Sequence, residues 1–208
     1  MKDLNYGKRG IWLAVILLVC APKLWANHID SALINRVGLN IGIIFPVGDG
    51  VLQTGAYPVG LSMYLTGTHI SSTGLNFELL AGANIMADFG GGSYLALPLL
   101  VNWIPEILNC NNNLFTINAF AGLGYTFHHI FSRTEGIKVK NQHTLGINAG
   151  LLCNIYAGKK WDLNLRMGVF HAFTRPVQAY FAESKVTSEH KFIYTVSPLL
   201  IGFTRKIG

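Results

Sequence analysis

The 208-residue sequence predicts an all-β protein, an eight-stranded antiparallel up-and-down β-barrel that crosses a membrane, and three observations predict it. First, 50% of the residues are hydrophobic and only 12% are charged. A soluble surface normally carries roughly 25% charged residues or more, so much of this surface does not face water. Second, the one long apolar run, residues 11–21, falls short of the roughly 18–20 residues that a spanning helix requires. A lipid-soluble chain without spanning helices is left with the closed barrel, the other structure that satisfies every backbone polar group in hydrocarbon. Third, the chain behind that run breaks into short segments in which apolar residues alternate with Gly and Asn. The same high apolar content and sparse charge exclude a disordered chain.

The first segment reads as a leader. Residues 1–10 carry Lys2, Lys8 and Arg9 against Asp3, residues 11–21 are apolar, and Ala26 offers a small residue before Asn27. This is the pattern of a secretory signal peptide, which assigns residues 1–26 to the signal and residues 27–208 to the barrel domain. A lipoprotein signal with Cys20 as the acylated residue is the rival reading, although Val19 stands where such signals usually carry Gly, Ala or Ser. Removing residues 1–26 takes away Lys2, Lys8, Arg9, Lys23 and Asp3, so the formal net charge falls from +6 to +3. With no basic patch interleaved with aromatics, nucleic acid is not an expected partner. Cys110 and Cys153 remain after cleavage. Export permits a disulfide, but two cysteines make no framework, and two unpaired thiols is the preferred reading.

Eight strands follow, over 36–45, 55–66, 73–84, 92–104, 114–126, 142–156, 160–172 and 191–204. Their lengths meet or exceed the roughly 9–11 residues that a tilted strand needs to cross a bilayer. Glycine scattered through them would weaken a helix interior. Residues two apart share a face of a strand. In the first strand Val37, Leu39, Ile41, Ile43 and Phe45 oppose Gly38, Asn40 and Gly42. In the third, Leu75, Phe77, Leu79 and Ala81 oppose Asn76, Glu78 and Gly82. The fifth sets Ile117, Ala119, Ala121 and Leu123 against Asn118, Gly122 and Gly124, and the sixth sets Leu145, Ile147 and Leu151 against Gly146, Asn148 and Gly150. The seventh sets Trp161, Leu163, Leu165 and Met167 against Asp162, Asn164, Arg166 and Gly168. Small polar residues suit the inside of a narrow barrel, so the apolar face looks outward into lipid.

Connection lengths and aromatics set the orientation. With the N-terminus periplasmic, the outer connections are about 46–54, 85–91, 127–141 and 173–190, and the two longest gaps both fall among them. Aromatics gather near strand ends, with Phe45, Tyr94, Tyr125, Phe127, Phe170 and Tyr194 toward the outer side and Tyr64, Trp103, Phe115, Tyr156, Trp161 and Phe203 toward the inner side. Two bands at the membrane interfaces are therefore expected. Pro58, Pro98 and Pro198 each remove a ladder donor and mark strand bends or boundaries.

On these features the chain resembles the eight-stranded outer-membrane β-barrel proteins of Gram-negative bacteria, the OmpA/OmpX type, over about residues 36–205. The segment 194–205 is similar to the closing strand read by the barrel-assembly machinery, although Phe203 is followed by five more residues where such proteins usually end on an aromatic. The resemblance implies location in the cell outer membrane, contact with outer-membrane lipid and lipopolysaccharide, and an interior filled by side chains rather than a general diffusion pore.

Glu78 and Arg166 lie on the polar faces of the third and seventh strands, which sit opposite each other in an eight-strand ring, at matching depths. A cross-lumen ion pair is expected. Asn40, Asn76, Asn118, Asn148 and Asn164 surround it, and Asp162 completes the polar set. The outer connections carry Arg133, Lys138, Lys140, Arg175 and Lys185, candidate contacts for lipopolysaccharide phosphates or an external surface. His128 and His129 open the third outer connection, with Ser132 and Glu135 behind them. A His/Ser/acid set at an outer rim resembles what outer-membrane lipid A deacylases use, but the His-x-Ser spacing of those enzymes is missing. No P-loop, GxGxxG, HExxH or CxxC motif occurs, so no catalytic residue, cofactor or metal is assigned. The expected function is that of a non-enzymatic outer-membrane barrel serving envelope structure or surface interaction. The alternatives are a lipid-modifying deacylase or acyltransferase, and a soluble lipocalin-like binder of an apolar ligand.

Overall fold

A computed structural model describes residues 34–47, 59–70, 76–87, 92–110, 114–132, 137–156, 160–181, 187–190 and 194–207. The expected signal peptide, Cys20 and Pro58 lie outside them. The elements are β1 (Arg36–Pro46), β2 (Gly60–His69), β3 (Phe77–Ala87), β4 (Gly92–Trp103), β5 (Glu106–Cys110), β6 (Phe115–Ser132), β7 (Ile137–Val139), β8 (Gln142–Tyr156), β9 (Trp161–Ala172), β10 (Val177–Phe181), β11 (Thr187–His190) and β12 (Tyr194–Lys206).

Eight of these strands close a ring in the order β4-β3-β2-β1-β12-β9-β8-β6, with β6 returning to β4, and every pairing is antiparallel. Closure gives each of these eight strands a partner on both sides, as hydrocarbon demands. β5 continues the line of β4 along β6 beyond Pro105, whose carbonyl accepts a hydrogen bond from Ala119 N at 3.0 Å, and a bulge follows between Glu106 and Leu108. β1, β4, β8 and β9 begin and end close to the expected positions, whereas β2 and β3 start later. Pro98 and Pro198 both stand inside strands. Pairing of β12 with β9 lapses between Val196 and Leu199, where Pro198 has no N–H to give, and Ser197 Oγ donates to Gly168 O at 2.8 Å instead. Pairing of β3 with β4 lapses likewise opposite Pro98.

The barrel is inverted relative to a soluble one. Ile41, Leu61, Leu123, Leu145, Leu165 and Ile201 are exposed on the outside, while Asn40, Glu78, Asn102, Asp162 and Arg166 are buried within. The lipocalin-like alternative requires the opposite arrangement. Two aromatic belts ring the exterior: Phe77, Trp103, Trp161 and Phe203 at one end, and Phe45, Tyr125, Phe131 and Phe173 at the other. Below, the end that carries Arg36 and Lys206 is the inner end, and the end that carries the long connections is the outer end.

The outer end departs from expectation. β6 runs on to Ser132, six residues past the expected boundary, so His128 and His129 sit in a strand rather than a loop. The two long outer connections pair with one another through a three-stranded sheet, β11-β10-β7.

Candidate functional site

The lumen has two storeys, and strand parity builds both. In the inner storey, Glu78 of β3 and Arg166 of β9 form an ion pair between Arg166 Nη2 and Glu78 Oε2 across the barrel, with side chains 4% and 3% exposed. Strands β3 and β9 stand four places apart in the ring, which points these two side chains at each other. Asn102 Nδ2 donates to Glu78 Oε2 at 3.2 Å. The Arg166 guanidinium lies 4.5 Å from the centroid of the Phe120 ring. That ring in turn covers the paired Gly150 and Gly168, where a Cβ would collide with Phe120 Cζ. The glycines of the polar face thus supply the room in which larger lumen groups lie, and Asn40 occupies the space over Gly202 in the same way.

The remaining polar positions divide. Asn40, Asn76, Asn118, Asn148, Asn164 and Asp162 are all buried in the lumen. Asn164 Nδ2 donates to Thr204 Oγ1, and Asn118 Nδ2 donates to Thr116 Oγ1 at 3.3 Å. These bonds lie toward the inner mouth and not on the Glu78–Arg166 pair. Asn148 stands farther out, in register with Phe170 and Gly122, and no hydrogen bond to its amide is formed among the described residues. Asp162 closes the inner mouth. Its Oδ2 accepts from Arg36 Nη1 at 2.7 Å and its Oδ1 lies 3.4 Å from Lys206 Nζ, with both cations set over the Tyr156 ring.

The outer storey is apolar, which the alternation did not single out. Ile44, Leu80, Met86, Tyr94, Leu100, Phe170, Tyr194 and Leu200 pack as one cluster inside the ring, with Tyr64 among them. Tyr64, Tyr94, Phe170 and Tyr194 therefore fill the lumen instead of joining the interfacial belts. Two short polar chains thread the cluster. Ser62 Oγ donates to Asn84 Oδ1 at 2.8 Å, and Asn84 Nδ2 donates to the Tyr194 hydroxyl at 2.8 Å. The Tyr94 hydroxyl bonds His128 Nδ1, and His128 Nε2 lies 2.6 Å from Thr144 Oγ1.

His128 is thus held inside the barrel, whereas His129 faces outward, bonded to Asn141 Oδ1 and stacked beside Phe127. Of the His/Ser/acid set, the two histidines lie on opposite faces of β6, and the Ser132 side chain and Glu135 lie outside the described residues. Lys140 and Arg175 are exposed at the outer end, and Lys138 falls in β7. Arg133 and Lys185 lie outside the described residues. Among the described residues Cys110 and Cys153 are free thiols, and no group of three or more His, Cys, Asp or Glu is arranged to hold a metal ion.

A closed eight-stranded ring, apolar outside and filled by polar and aromatic side chains inside, defines a class: the transmembrane β-barrel of the outer-membrane type. Solved structures share this fold. The outer membrane protein OprG from Pseudomonas aeruginosa aligns with a TM-score of 0.54 at 14% identity, over 84% of this chain and 97% of that one. Neisserial surface protein A aligns with a TM-score of 0.50 at 11% identity, over 83% of this chain and 96% of that one. At these identities the likeness is one of fold. No family model and no curated protein sequence matches the chain.

Proposed function

We propose that the protein is an integral outer-membrane barrel that serves envelope structure or surface interaction and carries out no catalysis. The observation that carries this reading is the filled lumen of an inverted barrel. The wall is dressed for lipid, and the apolar outer storey with the Glu78–Arg166 pair beneath it leaves the interior to side chains. Function then belongs to the outer end, where β6 projects and β7, β10 and β11 tie the long connections into a small sheet. In the two long connections Lys140 and Arg175, with Arg133, Lys138 and Lys185, outnumber Glu135, Glu183 and Glu189, which leaves them a small positive excess suited to lipopolysaccharide phosphates or an anionic external surface. Export through a signal at residues 1–26 and recognition of β12 by the barrel-assembly machinery belong to the same reading, and nucleic acid has no place in it.

The test has three readouts. The membrane-extracted protein is expected to migrate differently on a gel before and after boiling, and to add no steady conductance to a planar bilayer. The mass spectrum of lipid A is expected to be the same with and without the protein. Sustained channel currents would overturn the filled-lumen reading, and a shifted lipid A mass would restore the enzyme alternative.

A further inference from the structure

The inner rim of the barrel is electrically lopsided. Among the described residues four cations, Arg36, Lys160, Arg205 and Lys206, sit on the adjoining ends of β1, β12 and β9. The register brings Arg36 opposite Lys206 and Arg205 opposite Trp161, and Lys206 N donates to Lys160 O at 2.9 Å. One carboxylate, Asp162, lies among them; it is 1% exposed and engaged by Arg36 and Lys206 from within. Among the described residues no ion pair joins Arg205 or Lys160, and both are exposed. Among the described residues the exposed acid of this end is Glu106, on β5, which continues β4, the strand opposite β12 in the ring.

The exposed cations border the lipid-facing wall. Arg205 lies over the Trp161 ring, 5.8 Å from its centroid, and Trp161 is itself about half exposed in the inner aromatic belt. Phe203 and Ile207 flank the same spot, with Leu165 and Ile201 on the wall beyond. Aromatic rings of this kind mark the headgroup level of a bilayer. A guanidinium set over an indole keeps its donors free, and its planar fork matches two phosphate oxygens. Lys160, the residue before Trp161, adds an exposed charge at the same strand end. A headgroup seated there would lay its acyl chains along Phe203, Ile201 and Leu165.

We infer that the β9–β12–β1 sector of the inner rim is a binding site for an anionic phospholipid headgroup of the inner leaflet, with Arg205 and Lys160 as its phosphate ligands. The inference rests on the reading of the chain as a membrane barrel with its inner end toward the periplasm. The Arg36–Asp162–Lys206 group, with Asp162 buried at its centre, braces the site from the lumen side. The net positive charge left over after Asp162 is counted favours a headgroup with net negative charge, such as phosphatidylglycerol, over zwitterionic phosphatidylcholine.

Native mass spectrometry of the full-length folded barrel, released from nanodiscs holding equal phosphatidylglycerol and phosphatidylcholine of the same chain length, tests this. The wild type is expected to retain phosphatidylglycerol severalfold over phosphatidylcholine. The double variant R205Q/K160Q, both changes on exposed side chains, is expected to lose that severalfold preference and retain the two lipids about equally. E106Q, on the far side of the rim, is expected to leave it unchanged. Equal retention of the two lipids by the wild type, or an intact preference in R205Q/K160Q, overturns the site. Boiling-dependent migration is read on the same samples. A folded barrel without the preference therefore overturns the lipid site alone, and a protein with no folded barrel overturns the barrel reading and the site with it.

Discussion

Replacing Glu78 with Gln keeps the outline of the side chain and removes its charge. Arg166, 3% exposed and aimed at that carboxylate, is left as a buried cation with no counter-ion. Breaking one side of such a pair costs about 3–5 kcal/mol. The Phe120 ring stays beneath the guanidinium, and a Gln oxygen still accepts from Asn102, so the lower part of that range applies. About 3 kcal/mol corresponds to roughly a hundredfold shift in the folding equilibrium. R166Q strands Glu78 in the same way. The double variant E78Q/R166Q removes both charges, and its loss is expected to fall short of the summed single losses by about 2 kcal/mol. Urea titration of the barrel in lipid vesicles, with the folded fraction read from gel migration without boiling, measures all three. Additivity within about 0.5 kcal/mol would show that the two side chains do not depend on one another, and the depth argument would fail.

Two further outcomes follow from the same geometry. Leu123 lies on the outer face of β6 between the two aromatic belts and is 69% exposed; L123R is expected to cost about 2–4 kcal/mol in vesicles, where a water-facing position would tolerate it. D162N releases Arg36 and Lys206 at the inner mouth, and because both cations can turn toward water its cost in the same titration is expected to be smaller, about 1–3 kcal/mol.

Period-two alternation made the wall legible wherever the two faces differ in chemistry. Asn40 between Leu39 and Ile41, and Arg166 between Leu165 and Met167, can point only one way once the outside is lipid. Ring position and depth were enough to set Glu78 against Arg166. The outer storey was hidden because both faces of the strands there are apolar: in β4, Leu95, Leu97 and Leu99 face out while Tyr94, Ala96 and Leu100 face in. Distance along a strand assigned Tyr94 and Tyr194 to an interfacial belt, whereas parity would have turned them inward with Asn102 and Leu200. Asn102 was open to the same argument, as the one amide in β4. His128 was missed for another reason: β6 continues past the expected boundary because β8 supplies partners for it as far as His128 and β4 as far as Ser132. The grouping of Arg36, Asp162 and Lys206 depends on how the first and last strands meet, which no local pattern carries.

That meeting has a consequence for how the protein is made. The join between β1 and β12 comprises eleven residue pairs, from Arg36 with Lys206 to Pro46 with Val196, between partners at opposite ends of the chain. Every intermediate that lacks it carries two raw strand margins, each able to recruit another chain. Assembly therefore hinges on a late, long-range zippering step whose loop-closure entropy must be met before the hydrogen bonds repay it. A lesion in β12 should act as a kinetic defect, slowing maturation and feeding aggregation, even where the finished cylinder would tolerate the same change.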